Sequence, residues 1–304
     1  MSTPEPAAHV PGAHVIVEPA SRDVFLALMR ETYGSAMSVE EYDWWFDRNP
    51  AGPRIVNEAR DGDGTPLGVL AMSCFRMSQG LAAYAVHAVT TPAARGRGVF
   101  STLELHNEAV AAQAGAAWAL GFTNPMAGPI LVGRLGWEDL ARLRIWARPK
   151  RLRRTGRGGF RVEPSCPAFE PRHEARFDAH HILRDAAYLT WRYADSPRLY
   201  HRVESDGGWA VVTHSVWHGF SAAVVCEAVG AGLPSLLRRC VRAVDADLAV
   251  AMVNPGEERA YLAAGFAPTP RSIRFIGKRL TDDAPPLPKE RRAWRFSLGD
   301  LDFF

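Results

Sequence analysis

Cysteine is scarce in this chain, with four residues among 304, namely Cys74, Cys166, Cys226 and Cys240. They lie far apart, none belongs to a Cys-x-x-Cys pair, and no histidines cluster beside them. Such spacing argues against a disulfide framework and against a zinc site. We therefore expect reduced thiols and no bound metal.

Long apolar runs are also lacking. No run approaches the roughly 20 apolar residues that a membrane-spanning helix needs. The opening stretch, MSTPEPAAHVPGAHV, lacks the cationic start and apolar core of a secretory signal. The sequence therefore predicts a cytoplasmic protein that does not associate with membranes.

A strong excess of one charge is absent as well. Lysine and arginine number 36 and aspartate and glutamate 33, which gives a formal charge of +3 and a pI near 8.8. This weak basicity is too small to indicate a nucleic-acid partner, although it is compatible with acidic ligands. With 47% hydrophobic residues the composition is that of a globular protein, and the length suffices for two ordinary domains.

What the sequence does contain is a regular alternation of strand and helix patterns. A short strand over 14–19 precedes a helix that Ser21 can cap, and a second helix starts at Ser38 with Glu41 three residues later, the capping-box pattern. This second helix is expected to end before Pro50. The following patterns predict three strands, a helix, a buried strand, a short helix and another strand, in RIVNEA, GVLAMSCFRM, LAAYAVHAVT, VFSTLELHNEAVAAQA, AAWALGF, PILVGRLG and LARLRIWARP.

Two signals recur in the second half of the chain in the same order. The pattern Trp-x-aromatic-x-x-x-Pro occurs at 44–50 and again at 191–197, and a strand ending in Asn-Pro occurs at 124–125 and again at 254–255. Duplication of one fold explains both matches, and chance is the alternative. Between the halves, the stretch 148–161 carries seven basic residues and no acidic one. It predicts a linker, either a solvated loop or a patch for an anionic ligand.

The junction TTPAARGRGVFSTLEL, residues 90–105, places two glycines between a strand and a helix. Gly96 and Gly98 allow consecutive backbone N–H groups to converge at a helix N-terminus, where an anion binds well. Arg95 and Arg97 add charge that pairs with phosphate. Neither Gly-x-Gly-x-x-Gly nor Gly-Lys-Ser/Thr is present, which argues against a dinucleotide site or a phosphate-binding loop of that kind. A tight turn with exposed arginines is the alternative.

The order strand, Pro-x-x-Arg-Gly-x-Gly, helix resembles that of the GCN5-related N-acetyltransferase superfamily. The resemblance rests on VTTPAARGRGVF, on the preceding hairpin and on GFTNPMAGPILVGRLGW, and it covers about residues 14–147. It implies an α/β (α+β) fold with a mixed central sheet flanked by helices, in two tandem copies. The implied division is an acyl-CoA-binding domain at 12–148, a basic linker at 149–165 and a degenerate second copy at 166–304, which lacks the Arg-Gly-Arg-Gly turn.

The resemblance implies a site for acyl-coenzyme A. The loop amides would hold the pyrophosphate, the strand backbone at Val89 and Thr90 would pair with the pantetheine arm, and Asn124 would bond the same arm. Phe100 departs from the superfamily pattern, which has Gly or Ala there, and it can reshape the pocket floor. The implied loop residues are Arg95, Gly96, Arg97, Gly98, Val99, Phe100 and Ser101.

The implied mechanism is direct attack by a substrate amine on the thioester in a ternary complex. Many members protonate the leaving thiolate with a Tyr on the helix after the Asn-Pro signal, but NPMAGPILVGRLGW contains none. A water or another residue then serves, or catalysis is lost. His87 is the candidate base because it lies on the strand beside the implied thioester. A half-buried structural histidine is the alternative, and Tyr84 and Cys74 are further candidates.

Trp44, Trp45 and Phe46 lie where this superfamily often lines its acceptor pocket. The recurrence of their pattern at 191–197, in a half without the glycine turn, favours a stripe of core residues instead. Both interpretations are open at this stage.

The sequence therefore predicts an N-acyltransferase, most simply an acetyltransferase, that moves an acyl group from acetyl-CoA or another acyl-CoA to an amine of a small molecule. A catalytically decayed acyl-CoA-binding or interaction protein is the alternative. A third hypothesis, an aminoacyl-tRNA-dependent transferase, draws on the doubled architecture and the basic linker. The intact glycine turn argues against it.

Overall fold

A computed structural model of the chain describes residues 15–34, 37–150, 166–205 and 207–301. Most of the basic linker expected at 149–165 lies outside these ranges. Within them, no helix is both long enough and apolar enough to cross a membrane.

Two runs of strands and helices follow each other in the same order, as the recurring sequence signals predict. Each run contains a short helix, three antiparallel strands, a helix, a strand, a further short helix and a last strand, and the first run is preceded by one more strand and helix. The strands are β1 (Ile16–Pro19), β2 (Ile55–Arg60), β3 (Pro66–Met77), β4 (Gly80–Thr90), β5 (Ala116–Thr123), β6 (Glu138–Pro149), β7 (Tyr200–Ser205), β8 (Gly208–Trp217), β9 (Phe220–Gly230), β10 (Leu248–Met252) and β11 (Ala267–Arg279). The helices are α1 (Arg22–Tyr33), α2 (Val39–Tyr42), α3 (Val99–Gln113), α4 (Gly128–Arg134), α5 (Ala186–Leu189), α6 (Leu233–Ala243) and α7 (Glu258–Ala263).

Both helix starts predicted near the N-terminus are confirmed. The Ser21 hydroxyl accepts a hydrogen bond from the backbone N–H of Val24 at 3.3 Å and so caps α1. At the start of α2 the Ser38 hydroxyl accepts from the N–H of Glu41 at 3.0 Å, and the Glu41 carboxylate accepts from the N–H of Ser38 at 3.1 Å. This reciprocal pair is the capping box that the sequence predicts.

The second helix is shorter than its sequence pattern predicts. α2 ends at Tyr42 and the chain continues as a π-helical turn over Asp43–Asp47. This turn carries three consecutive aromatic side chains that are all buried, Trp44, Trp45 and Phe46. Successive residues of an α-helix point about 100° apart, so three in a row spread over much of its circumference. The slower winding of a π-helical turn narrows this arc and allows all three to face the core.

The aromatic turns of the two halves pack against each other. α5 is likewise followed by a π-helical turn, Thr190–Ala194. Trp44 Nε1 donates to the carbonyl of Trp191 at 2.6 Å, and Trp191 Nε1 donates to the carbonyl of Trp44 at 2.8 Å. The two indoles also stack, with ring centroids 5.5 Å apart. These reciprocal contacts show that the two halves meet with approximate twofold symmetry.

All strands of the described residues form one mixed sheet in the order β1-β2-β3-β4-β5-β11-β6-β10-β9-β8-β7. The centre of this sheet is an exchange of strands. β11, the last strand of the second half, lies between β5 and β6, while β6, the last strand of the first half, lies between β11 and β10. Each half therefore completes the sheet of the other, and apolar cores cover both faces.

The closing segment, residues 280–301, follows β11 and is fixed to the second half by a buried ion pair. Arg184 is 2% exposed, and its Nη2 lies 2.6 Å from Oδ1 of Asp300 and 2.8 Å from Oε1 of Glu227. The Ser297 hydroxyl donates to the same Glu227 oxygen at 2.8 Å. Removing one partner of such a pair costs about 3–5 kcal/mol because it leaves a buried charge uncompensated. The closing segment is therefore an integral part of the fold.

The strand exchange predicts that neither half folds alone. A chain that ends at Lys150 has β5 and β6 but lacks β11 between them, so both strands expose unpaired edges. We expect fragments 1–150 and 151–304 to be unfolded or aggregated when produced separately, and to form a folded complex when co-expressed. Circular dichroism and size-exclusion chromatography measure both outcomes. A monomeric 1–150 fragment with a cooperative thermal transition would contradict this reading of the sheet.

Candidate functional site

Two parallel strands near the middle of the sheet separate and open a cleft. In the described residues, β4 pairs with β5 only as far as Ala85 and Gly121. Just beyond this pair, Val86 bulges out of the ladder that β4 forms with β3. A bulge bends its strand, and β5 continues its pairing with β11 on its other side. The backbone of residues 86–90 therefore has β3 on one side and the cleft on the other.

The loop after β4 leads into the N-terminus of α3 through two glycines. Gly96 and Gly98 have φ values of 78° and 79°, in the left-handed region that strains other residues. A Cβ at either position would meet no heavy atom of the described residues within 4 Å. Gly98 is the N-cap of α3, and the first N–H groups of a helix have no preceding carbonyl to bond. The turn thus presents amide donors at the positive end of a helix dipole, an arrangement that binds anions.

A cleft of about 1780 Å³ runs from this glycine turn along the gap between the strands. Sites for one small ligand usually measure about 300–1,000 Å³, so the cleft has room for two reactants. Its lining includes His87 and every residue that the sequence analysis assigned to a cofactor. The latter are Val89, Thr90, Arg95, Gly96, Arg97, Gly98, Val99, Phe100, Ser101 and Asn124.

The side-chain oxygen of Asn124 makes hydrogen bonds within its own turn. Its side-chain oxygen accepts from the N–H groups of Met126 at 2.9 Å and Ala127 at 3.0 Å. These bonds shape the turn that begins α4. The side-chain nitrogen of Asn124 is therefore the group that can donate to a ligand in the cleft.

His87 lies on the wall of the cleft that faces α1. Its ring meets Phe25 and Phe46 edge-on, with centroids 6.2 Å away in both cases. These contacts fix the orientation of the imidazole while it lines the cleft. On the same wall, the hydroxyl of Tyr33 donates to the carbonyl of Ala88 at 3.0 Å.

Trp44, Trp45 and Phe46 are not among the described residues that line the cleft. They are 1%, 2% and 3% exposed, respectively. The π-helical turn directs the two tryptophans towards the second half, where both pack on Trp191, and Phe46 packs behind His87. Their positions do not match the expectation of an acceptor pocket. They match the alternative of a stripe of core residues.

The cleft residues that were missed from the sequence include Tyr33, Glu104 and Arg198. Arg198 comes from the second half and forms an ion pair with Glu41, with 3.1 Å between Nε and Oε1, so only tertiary packing reveals it. Glu104 could have been predicted from the sequence, because polar residues recur at helical spacing on the buried face of α3. Tyr33 had no such signal beyond its place at the end of a helix.

Glu104 is a buried acid on the α3 side of the cleft. It is 1% exposed, and its Oε1 has no hydrogen-bond partner among the described residues. Burial and the nearby charge of Glu108 raise the pKa of Glu104 to about 8, against the opposing effect of Lys278. Glu108 itself accepts from Trp137 Nε1 at 2.7 Å and from Lys278 Nζ at 2.5 Å. At neutral pH the cleft is therefore lined by a neutral carboxylic acid at this point.

The corresponding gap in the second half is filled. β9 pairs with β10 as far as Val225, and Cys226 then bulges as Val86 does. Asn254, at the end of this strand pair, accepts through Oδ1 from the N–H of Phe296 at 3.0 Å. The closing segment thus lies where the first half has its cleft. The cavity that remains beside it measures only about 10 Å³, close to the volume that one water needs.

The raised pKa of Glu104 predicts a pH-dependent stability. Between about pH 4.5, the ordinary value, and about pH 8 the folded protein keeps a proton on Glu104 that the unfolded chain releases. The free energy of unfolding therefore falls as the pH rises through this window. Glu104→Gln has no ionisable group at this position, so this dependence of stability on pH should disappear. The free energy of unfolding of the variant should exceed that of the parent at pH 9 by up to roughly 4 kcal/mol and should about equal it at pH 4.5.

Urea unfolding between pH 4.5 and pH 9 measures this difference. Glu31→Gln is the control, because Glu31 is an exposed carboxylate on α1. Parallel pH profiles for the parent and Glu104→Gln would show that Glu104 ionises normally.

No protein-family model matches the chain, and no curated protein sequence matches it either. Solved structures do match. A proposed acetyltransferase from Pyrococcus horikoshii superposes with a TM-score of 0.61 at 12% identity, over 98% of this chain and 99% of that one. GCN5-related N-acetyltransferases from Anabaena variabilis and Kribbella flavida both give 0.57, at 10% and 13% identity, over 88% of this chain and 73% and 72% of theirs. At such identities the likeness establishes the fold: the chain has the mixed α/β fold of the GCN5-related N-acetyltransferases.

Proposed function

We propose that the chain is an N-acyltransferase, most simply an acetyltransferase, that transfers an acyl group from acyl-CoA to an amine of a small molecule. The observation that carries this proposal is the open cleft with a glycine turn at its mouth and an unpaired strand edge along its wall. The solved structures of the same fold support it, because they are named as N-acetyltransferases.

The proposed acyl donor is acetyl-CoA or a related thioester. Amide groups at the start of α3, with Arg95 and Arg97 beside them, suit a pyrophosphate. The pantetheine arm carries amide groups, so it can add to the free edge of β4 at Val89 and Thr90 in the manner of an extra strand. The side-chain nitrogen of Asn124 can donate to the same arm from the opposite strand. These contacts would deliver the thioester to the part of the cleft near the bulge.

The proposed reaction is direct attack of the amine on the thioester carbonyl. The contribution of the protein is then to position the two reactants and to move protons. We propose His87 as the group that accepts the proton of the amine. Two observations support this role. His87 lines the cleft beside Ala88, and Phe25 and Phe46 hold its ring.

A catalytically decayed acyl-CoA-binding protein is the second candidate. It is favoured by one observation, namely that α4 contains no tyrosine to protonate the leaving thiolate. Such a protein would saturate with acetyl-CoA without releasing free thiol. Thiol release on addition of an amine therefore separates the two candidates.

We propose the cytoplasm as the location. All four cysteines are free. Burial raises the pKa of Cys74 to about 11 and that of Cys226 to about 12, so both remain protonated thiols at neutral pH. Buried, unpaired thiols suit a reducing compartment.

The glycine turn predicts that Gly98→Glu strongly weakens the binding of acetyl-CoA. A carboxylate at this position would compete for the amides that receive the pyrophosphate. We expect isothermal calorimetry to show one acetyl-CoA bound per parent chain, because the gap in the second half is filled. The affinity of the variant should be at least about 100-fold lower, which corresponds to the loss of roughly two charge-assisted hydrogen bonds.

Gly232→Glu is the matched control. Gly232 is the N-cap of α6 with φ of 67°, and a Cβ there meets no described heavy atom within 4 Å, so the backbone strain is comparable. Its affinity for acetyl-CoA should equal that of the parent. Unchanged affinity in folded Gly98→Glu, or equal loss in both variants, would count against the assigned turn.

His87→Gln tests the proposed base. We expect kcat/KM to fall by about 10²–10⁴-fold and the acidic limb of its pH profile to disappear, with the affinity for acetyl-CoA unchanged. If His87 serves only packing, the variant will melt at a lower temperature but keep the acidic limb.

A further inference from the structure

Tyr33 holds a carbonyl on the free edge of β4. It is the last residue of α1, which Gly34 terminates in the left-handed conformation with φ of 71°. The Tyr33 side chain reaches across the cleft wall, and its hydroxyl donates to the carbonyl of Ala88 at 3.0 Å. Ala88 belongs to the segment that follows the bulge at Val86 and has no partner in β5. The phenol therefore lies at the strand edge, inside the cleft, and is 58% exposed.

The proposed reaction needs a proton donor in this part of the cleft. When the thioester breaks, its sulfur leaves as a thiolate, and an anion in a partly dehydrated site is costly unless it is protonated or paired. The extended arm of acyl-CoA, held at the glycine turn and along Thr90, would bring the sulfur back towards Ala88. A donor bonded to the Ala88 carbonyl would then lie close to the leaving group.

We propose that Tyr33 is the catalytic acid that protonates the leaving thiolate, an assignment that rests on the proposed acyltransferase function. The amine nitrogen bonds to the carbonyl carbon and loses its proton to His87, while the carbon–sulfur bond breaks and its electron pair stays on sulfur. The hydroxyl proton of Tyr33 passes to that sulfur. Exchange with solvent then returns the proton of the imidazolium to the phenolate, so both side chains regain their starting states.

The other acidic groups of the cleft are less suited to this role. Glu41 is ion-paired with Arg198. Glu104 carries a proton but is 1% exposed on the α3 face of the sheet, among apolar residues. Tyr33 comes from α1 on the same wall as His87, where a base and an acid can serve one reaction centre.

The experiment compares the parent with Tyr33→Phe and with a chain that carries a fluorinated tyrosine at position 33. Acetyl-CoA binding is measured by calorimetry, and thiol release is followed with n-butylamine as the probe acceptor between pH 6 and pH 10. We expect Tyr33→Phe to bind acetyl-CoA as the parent does, to lose about 10²-fold or more in kcat, and to lose the alkaline limb of the pH profile. The fluorinated phenol is more acidic, so it should restore turnover and shift that limb to lower pH.

Tyr42→Phe is the control, because Tyr42 is a buried tyrosine of the neighbouring helix that does not line the cleft. Its kinetics should match the parent. Should Tyr33→Phe bind acetyl-CoA with unchanged kcat and an unchanged alkaline limb, the acid assignment is wrong while the acyltransferase proposal stands. Binding without thiol release at any pH would favour the decayed binding protein and overturn the assignment. Absence of acetyl-CoA binding by the folded parent would overturn both proposals.

Discussion

The separation of two parallel strands is the constraint on which the rest of this structure depends. When such strands part, the backbone groups that faced each other lose their partners, and buried backbone groups must find others. The chain meets this requirement twice, in two ways. In the second half the closing segment enters the gap, and Phe296 bonds to Asn254 within it. In the first half the gap opens onto a cleft, where a ligand can supply the missing bonds.

The second half keeps two glycines with positive φ before α6, Gly230 and Gly232, but it has no arginines beside them. The gap of this half is filled by the closing segment. The buried charges there serve the fold instead: Arg184 joins Asp300 and Glu227. Glu227 follows the bulge of β9 as His87 follows the bulge of β4. The same position of the repeated fold thus holds a residue of a structural ion pair in one half and a residue of the cleft wall in the other.

The second half remains tied to the cleft through its side chains. Arg198 crosses from it to pair with Glu41 in the lining, and the reciprocal Trp44–Trp191 contact lies directly behind. The geometry of the cleft therefore depends on both halves. The second half thus shapes the cleft that lies in the first half.

Features with a local cause were predictable from the sequence. Ser38 and Glu41 define a capping box because both partners lie within one turn. The glycine turn was predictable because positive φ values restrict the choice of residue, and the duplicated aromatic pattern indicated the repeat. By contrast, the placement of β11 beside β5 depends on long-range pairing. The burial of Trp44 and Trp45 has the same origin, because their partner Trp191 comes from the other half.

The strand exchange also has a consequence for the order in which the molecule is completed. Lys278 on β11 bonds to Glu108 across 170 residues of chain, and Trp118 on β5 bonds to the carbonyl of Pro285 across 167. Contacts between such distant positions form slowly because a long loop must close first. During synthesis on the ribosome, the edge of β5 that pairs with β11 has no partner until β11 has been synthesised. Since β5 forms one wall of the cleft, the site assembles only near the end of translation, and a prematurely terminated chain cannot acquire it.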